Sequence, residues 1–104
     1  MCGIAGQVSY SIPSDIRKIE HLGNSLKHRG PNDKGLYYNS NLTCVFAHRR
    51  LSIIDLSKKG HQPFVSNDGR FIIVYNGEIY NYKELRKELL KEGLQFKSNS
   101  DTEV

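Results

Sequence analysis

The chain has 104 residues, 38% hydrophobic and 25% charged, and its 15 Lys and Arg against 11 Asp and Glu give a net charge of +4. This composition indicates an ordinary globular sequence and excludes a disordered tail, and the length excludes a second domain. The sequence has neither an apolar run of the roughly 18 residues that cross a bilayer nor a secretory signal, so we expect a cytoplasmic protein with no membrane partner.

The N-terminal half alternates apolar runs with segments rich in turn formers. Cys2–Tyr10 alternates small and apolar residues, which predicts a strand. Ser14 is the predicted N-cap of a helix, and residues 28–35, rich in Gly, Pro, Asn and Asp, predict a loop. The apolar stripe of the predicted helix is Ile16, Ile19, Leu22 and Leu26.

The middle of the chain predicts further strands. Leu42–Ala47 and Leu51–Leu56 are apolar runs of strand length, and Cys44 within the first is expected to be a core residue. Asn67-Asp68-Gly69 separates two more apolar runs, as the turn of a hairpin does. We expect these strands to form one antiparallel sheet.

A second helix is predicted after Asn81, its expected N-cap. Glu84 would reach back to this cap, and Tyr80 would pack on the helix. Gly93 is expected to end the helix, and residues 95–97 predict the start of another strand before the chain stops, as a truncated domain would. The predicted buried face of the helix is Leu85, Leu89 and Leu90.

Cys2 is the first candidate for chemistry. If Met1 is removed, Cys2 carries a thiol and a free α-amine, whose reference pKa of about 7.7 to 8.0 lets it accept the thiol proton near neutral pH. Such a nucleophile supplies its own base and needs no histidine. The alternative is that Cys2 is a small residue of no importance at a frayed terminus.

Asn76 and Gly77 form the second candidate site, between an apolar strand and the second predicted helix. The Asn76 amide and the Gly77 N–H can point at one spot, and glycine allows close approach of a ligand. This corner is therefore a candidate oxyanion hole. The alternative is a turn in which both residues serve only backbone geometry.

Arg50 and Asp101 carry opposite charges and can together bind a zwitterion. An arginine offers a bidentate fork to a carboxylate, and an aspartate accepts from an ammonium group. The alternative is that both are solvated surface charges. The four histidines show no ligand-like spacing, so no metal site is expected.

Five segments carry a family resemblance when they are taken in order. They are Met1-Cys2-Gly3-Ile4, His28-Arg29-Gly30-Pro31 with Gly35, His48-Arg49-Arg50-Leu51-Ser52-Ile53-Ile54-Asp55-Leu56 followed by Gly60-His61-Gln62-Pro63, Tyr75-Asn76-Gly77-Glu78-Ile79-Tyr80-Asn81, and Ser100-Asp101-Thr102-Glu103. Together they resemble the N-terminal, class II glutamine amidotransferase domain of asparagine synthetases, across the whole chain. Asn32 departs from the pattern, because the family usually has Asp there, and Asp33 follows it.

The resemblance implies an α+β fold. It is that of an N-terminal-nucleophile (Ntn) hydrolase, an αββα sandwich of antiparallel sheets with Cys2 at the start of a central strand. Only the N-terminal half of this fold is expected here. Residues 1–104 would be the N-terminal portion of a truncated amidotransferase domain, with the remainder of the domain and the synthetase domain absent.

The resemblance also implies the roles of the site residues in hydrolysing the substrate glutamine to glutamate and ammonia. Cys2 would attack the side-chain amide, with Asn76 and the Gly77 N–H stabilising the oxyanion. Arg50 would hold the substrate α-carboxylate and Asp101 its α-ammonium group. The backbone around three further residues would line the glutamine site: Leu51, Ile53 and Glu78.

Partners follow from the same resemblance. The C-terminal synthetase domain of the same polypeptide would use ATP and Mg²⁺ to amidate aspartate, while this segment would hold no cofactor and, alone, would be inactive. The full-length protein is a candidate homodimer. The alternatives are a domain that serves another carboxylate or a sugar, an inactive fragment that acts as a binding module, and a nucleic-acid-binding module. The scattered basic residues disfavour the last.

Overall fold

The computed structural model describes all residues from Met1 to Val104 and is α+β, with two antiparallel sheets. No helix is long and apolar enough to span a bilayer. In chain order the elements are β1 (Gly3–Val8), α1 (Ile16–Ser25), β2 (Asp33–Tyr38), β3 (Cys44–Arg50), a 3-10 turn (Lys58–Gly60), β4 (Phe64–Val65), β5 (Ile72–Ile73), α2 (Tyr82–Lys91) and a second 3-10 turn (Asp101–Glu103).

The larger sheet is three-stranded, with β3 between β1 and β2 and both pairings antiparallel. Helix α1 packs on one face of this sheet. The small core between them consists of Ile19, Val45 and Ala47. The strand predicted at the N-terminus is confirmed as β1, but it is an edge strand of this sheet and not the central strand that the resemblance implies. Because β3 is the central strand, residues at its C-terminal end lie beside the first residues of β1.

The strands around β3 differ from the sequence-based expectation. The predicted loop 28–35 runs into β2, which begins at Asp33, because this edge strand pairs with the polar end of β3. That end continues past Ala47 to Arg50, and Arg49 is buried there with its Nε donating to the Gly23 carbonyl. Tertiary hydrogen bonds thus extend a strand that the apolar pattern ends too early.

The prediction of a strand over Leu51–Leu56 is wrong. This segment is a loop in which Ile53 is 71% and Leu56 79% exposed. Hydrogen bonds to side chains replace ladder bonds: Ser52 N–H donates to the Asn32 Oδ1 at 3.0 Å, and Ser57 N–H donates to the Asp55 carboxylate at 2.8 Å. The loop leaves the sheet and forms a wall of the candidate site described below.

Helix α1 is confirmed, but its cap is one residue later than predicted. Asp15 Oδ1 accepts the Lys18 N–H at 3.1 Å, whereas the Ser14 Oγ is buried and has no partner. The Ser14 N–H donates to the Leu42 carbonyl, which keeps Ser14 outside the helix. Ile19 is buried as expected, but Leu22 is 44% exposed.

The hairpin at residues 67–69 is confirmed, and it forms a separate sheet. Strands β4 and β5 pair only with each other, so the expectation of one sheet is wrong. Gly69 has φ +72°, a left-handed conformation that glycine adopts without a Cβ penalty, and its N–H donates to the Ser66 carbonyl.

Helix α2 starts and ends where the sequence predicts. Gly93 has φ +88°, and the N–H groups of Gly93 and Leu94 donate to the Leu90 and Leu89 carbonyls, which is a Schellman ending. Asn81 is the N-cap residue, but its side chain makes no capping hydrogen bond.

The packing predicted for α2 is largely wrong. Tyr80 is 88% exposed and so does not pack on the helix, and Leu90 is 51% exposed, while Leu85 and Leu89 are half-buried. Residues 95–97 form no strand. No residue of α2 is fully buried, and the Lys97 N–H donates to the Glu103 carboxylate at 2.6 Å instead of to a neighbouring strand.

Candidate active site

One cavity of about 290 Å³ brings together all eight residues that the sequence analysis assigned to the glutamine site. They are Cys2, Arg50, Leu51, Ile53, Asn76, Gly77, Glu78 and Asp101. These residues come from the start of β1, the end of β3 with the loop after it, the β5–α2 corner and the C-terminal 3-10 turn. Segments up to 99 positions apart in sequence therefore meet in one place, since Cys2 and Asp101 both line it.

Cys2 directly precedes β1 and is half-buried at the cavity wall. Its Sγ accepts the Leu51 N–H at 3.3 Å and lies 3.8 Å from the Leu51 carbonyl oxygen. Its own carbonyl accepts a hydrogen bond from the Arg29 Nε at 3.1 Å. The thiol is therefore held beside the loop that follows β3. In this chain the Cys2 nitrogen is part of the peptide bond to Met1, which also lines the cavity.

Arg50 ends β3 and is only 7% exposed. Its Nη1 donates to the Ser57 carbonyl at 2.8 Å, and its Nη2 donates to the Asp55 carbonyl. A guanidinium has five N–H donors, so these two contacts fix its position and leave others for a ligand. Gly60 permits this position, because a Cβ there would overlap the Arg50 Nη2.

Asp55 organises the loop that holds Arg50. The hydroxyl and N–H of Ser57 donate to its Oδ1, and the Asn99 N–H donates to its Oδ2 at 2.8 Å. These hydrogen bonds, the one from the Ser57 hydroxyl first, lower the pKa of Asp55 below its ordinary value. The carboxylate stays ionised at neutral pH and ties this loop to the segment before Asp101.

The corner between β5 and α2 presents Asn76, Gly77 and Glu78, all solvent-accessible, to the cavity. A Cβ at Gly77 would overlap the Tyr75 phenol ring, so this position suits glycine. The backbone of Tyr75 is held on both sides. Its N–H donates to the Gln62 Oε1 at 2.6 Å, and its carbonyl lies 3.2 Å from the His48 Nε2.

His48 is 1% exposed, and burial lowers its pKa. The neutral imidazole therefore prevails at pH 7, with a proton on Nε2 to donate to the Tyr75 carbonyl. The Nδ1 is buried and has no partner, which agrees with its being the unprotonated nitrogen.

Asp101 begins the C-terminal 3-10 turn and is 6% exposed. Its Oδ2 accepts the Ile79 N–H at 2.9 Å, and its Oδ1 has no protein donor. An ammonium group in the cavity can therefore bind the free oxygen. The same hydrogen bond joins the turn to the residues after the Asn76 corner.

Two further predictions concern residues around the site. Asn32, which departs from the family pattern, still supports the loop, because its N–H donates to the Arg50 carbonyl and its Oδ1 accepts from Ser52. Cys44 lies in β3 away from the cavity and is half-buried, not fully buried as expected for a core residue. Burial raises the pKa of the Cys44 thiol.

Sequence reasoning assigned no role to several residues that line the cavity. The most informative are Asp55, Gln62 and Tyr75, together with Ser100 and Thr102. All five lie inside the five sequence segments that carry the family resemblance. Their local spacing, however, does not show which of their atoms meet in the folded chain. No group of three His, Cys, Asp or Glu side chains is placed to hold a metal ion.

The comparisons with known proteins identify the family of this chain. The family model described as a glutamine amidotransferase domain matches residues 1–104. The chain therefore belongs to the glutamine amidotransferase domain family, and Cys2, the Asn76-Gly77 corner, Arg50 and Asp101 line one cavity in it.

The curated relatives are longer proteins. The chain is 44% identical to "Asparagine synthetase [glutamine-hydrolyzing] 1" of Bacillus subtilis over 108 residues, which cover 100% of this chain and 17% of that protein. It is 42% identical to "Asparagine synthetase [glutamine-hydrolyzing]" of Sandersonia aurantiaca over 106 residues, covering 100% and 19%. It is 40% identical to "Asparagine synthetase [glutamine-hydrolyzing] 1" of Arabidopsis thaliana over 106 residues, which cover 100% of this chain and 17% of that protein. The chain spans less than a quarter of the length of the curated relatives it matches.

Proposed function

We propose that this domain hydrolyses glutamine to glutamate and ammonia, with Cys2 as the nucleophile. The observation that supports this most is the convergence of the Cys2 thiol, the Arg50 guanidinium and the free oxygen of Asp101 on one cavity. Arg50 would bind the substrate α-carboxylate and Asp101 its α-ammonium group. The backbone near Leu51, Ile53 and Glu78 would line the substrate.

The chemistry begins once Met1 is removed and the Cys2 α-amine is free. The amine takes the thiol proton, and the thiolate attacks the side-chain amide carbon of glutamine. The Asn76 amide and the Gly77 N–H donate to the oxyanion that forms. Collapse of this intermediate breaks the C–N bond, and ammonia leaves with the proton from the amine. Water then hydrolyses the γ-glutamyl thioester.

In the full-length protein we place this domain as the N-terminal part of an asparagine synthetase-like enzyme. The complete domain would be an αββα sandwich of the N-terminal-nucleophile class. The C-terminal domain would use ATP and Mg²⁺ to amidate aspartate with the ammonia, in a cytoplasmic protein that is a candidate homodimer. The relatives named as glutamine-hydrolyzing asparagine synthetases support this placement. Another carboxylate or a sugar is the alternative acceptor.

Covalent labelling tests the proposed function. We expect the expressed full-length protein to have lost Met1. After incubation with a glutamine-mimicking electrophile, it should carry one adduct on Cys2. No adduct is expected on Cys44, which lies outside the cavity and whose raised pKa keeps the thiol protonated. Intact-mass spectrometry with peptide mapping measures both sites.

Two controls sharpen this experiment. Free glutamine should slow the labelling of Cys2, because both compounds occupy the same cavity. A Cys44→Ala variant should label at the rate of the unmodified protein. A full-length protein with Met1 removed and no adduct on Cys2 contradicts glutamine hydrolysis by this domain.

Gly60→Ala tests the role of Arg50 without changing its charge. The added Cβ would overlap the Arg50 Nη2, so the guanidinium has to leave the position set by Asp55 and Ser57. We expect the KM for glutamine to rise about 10-fold, the loss for one hydrogen bond between charged groups. Steady-state kinetics of the full-length protein measure this, with Ser40→Ala, in an exposed turn away from the cavity, as a surface control. An unchanged KM argues against carboxylate binding by Arg50.

A further inference from the structure

The residue directly before the Asn76 corner is held by two side chains and not by a strand. Strand β5 ends at Ile73, so the backbone of Tyr75 lies outside the β4–β5 ladder. Its N–H donates to the Gln62 Oε1 at 2.6 Å, and its carbonyl faces the His48 Nε2 at 3.2 Å. The placement of Asn76 and Gly77 therefore depends on these side chains.

Gln62 also reaches the opposite wall of the cavity. It is 5% exposed, and its Nε2 donates to the Thr102 Oγ1 at 3.2 Å. Thr102 follows Asp101 in the C-terminal 3-10 turn. One buried amide thus accepts from the oxyanion corner and donates to the turn that carries Asp101. Each of its two polar atoms makes a hydrogen bond to a protein group, one on each wall of the cavity.

We propose that Gln62 is a positioning residue for glutamine hydrolysis, holding the Asn76-Gly77 corner and the Asp101 turn in one arrangement. This inference rests on the proposed function. An amide suits the position because it offers an acceptor and a donor on one planar group, whereas a carboxylate lacks the donor and a thioether lacks the donor and accepts only weakly. If the corner shifts, the Asn76 amide and the Gly77 N–H no longer meet the oxyanion, and small misplacements of such groups lower rates strongly.

The first test is Gln62→Met in the full-length protein, which keeps the side-chain length and removes both hydrogen bonds. We expect kcat for glutamine hydrolysis to fall about 10- to 100-fold. The rate at which iodoacetamide alkylates Cys2 should stay unchanged, because that reaction needs no oxyanion hole. Gln95→Met is the matched control, since Gln95 is exposed and lies away from the cavity, and it should keep the unmodified kcat.

A double-mutant comparison separates positioning from general damage to the fold. On an Asn76→Ala background, Gln62→Met should lower kcat by much less than it does alone, because the donor that it positions is already gone. A general structural role would lower kcat equally on both backgrounds, and that result overturns the inference. So does a full kcat in Gln62→Met.

Two milder variants keep the inference testable if Gln62→Met does not fold. Thr102→Val removes only the partner of the Gln62 Nε2 and should lower kcat, whereas Thr102→Ser keeps the hydroxyl and should restore most of it. Equal kcat values for Val and Ser overturn the inference. If the unmodified protein hydrolyses no glutamine, the proposed function is wrong. If the unmodified protein hydrolyses glutamine and these variants have the same kcat, only the proposed role of Gln62 is wrong.

Discussion

Replacing Cys2 with alanine in the full-length protein should abolish glutamine hydrolysis, with a loss of roughly 10⁶-fold, the size seen when a catalytic nucleophile is removed. The physical reason is that no other nucleophile lines the cavity with a base attached to it. A Cys2→Ser variant should recover little of the rate, because a hydroxyl has a far higher pKa than a thiol and the α-amine deprotonates it poorly. Release of ammonia from glutamine is the measurement.

The loss should be in chemistry and not in folding. The Sγ accepts one backbone hydrogen bond, from Leu51, whose removal costs about 1 kcal/mol. Thermal unfolding of Cys2→Ala should therefore resemble that of the unmodified protein. Cys44→Ala is the matched control, since Cys44 is the second cysteine and lies outside the cavity, and it should keep full activity. Substantial glutamine hydrolysis by Cys2→Ala contradicts the assignment of the nucleophile.

Local sequence patterns predicted those elements whose signals are local. The N-terminal strand, the end of α2 and the hairpin turn each depend on alternation or on a left-handed glycine within a few residues. Gly69 and Gly93 illustrate this, because both adopt the positive φ for which glycine is suited.

The errors occur where distant contacts override local preference. Leu51–Leu56 has the apolar composition of a strand, yet its hydrogen bonds go to side chains from other segments, such as Asn32. The end of β3 is polar, yet Arg49 and Arg50 are buried there because backbone carbonyls accept from both guanidinium groups. Neither arrangement leaves a periodic signal in the sequence.

The candidate site was predicted by family resemblance and not by local pattern. Cys2, Arg50, Asn76 and Asp101 each had an ordinary structural alternative when taken singly, and only their order in five segments favoured the site. The structure adds what the order of segments does not contain. It shows that the Gln62 amide and the Asp55 carboxylate join these segments through atoms that meet only after folding.

Asn76→Ala should lower kcat for glutamine hydrolysis by about 10²- to 10³-fold, the usual loss for one oxyanion-hole donor. The KM should change little, because the amide contributes most after the carbonyl oxygen has become negatively charged. Steady-state kinetics of the full-length protein separate the two parameters. Asn41→Ala, in an exposed turn far from the cavity, is the matched control and should have unmodified kinetics.

Alkylation of Cys2 shows whether the Asn76→Ala variant keeps the rest of the site intact. If Asn76 acts only on the oxyanion, the variant should still form a Cys2 adduct with iodoacetamide at the unmodified rate, because that alkylation generates no oxyanion. Loss of both reactions would indicate that the corner had collapsed onto the thiol. An unchanged kcat in Asn76→Ala would mean that the Asn76 amide does not stabilise the oxyanion. The Gly77 N–H would then be the only donor proposed at this corner, which contradicts the assignment of an oxyanion hole formed by both residues.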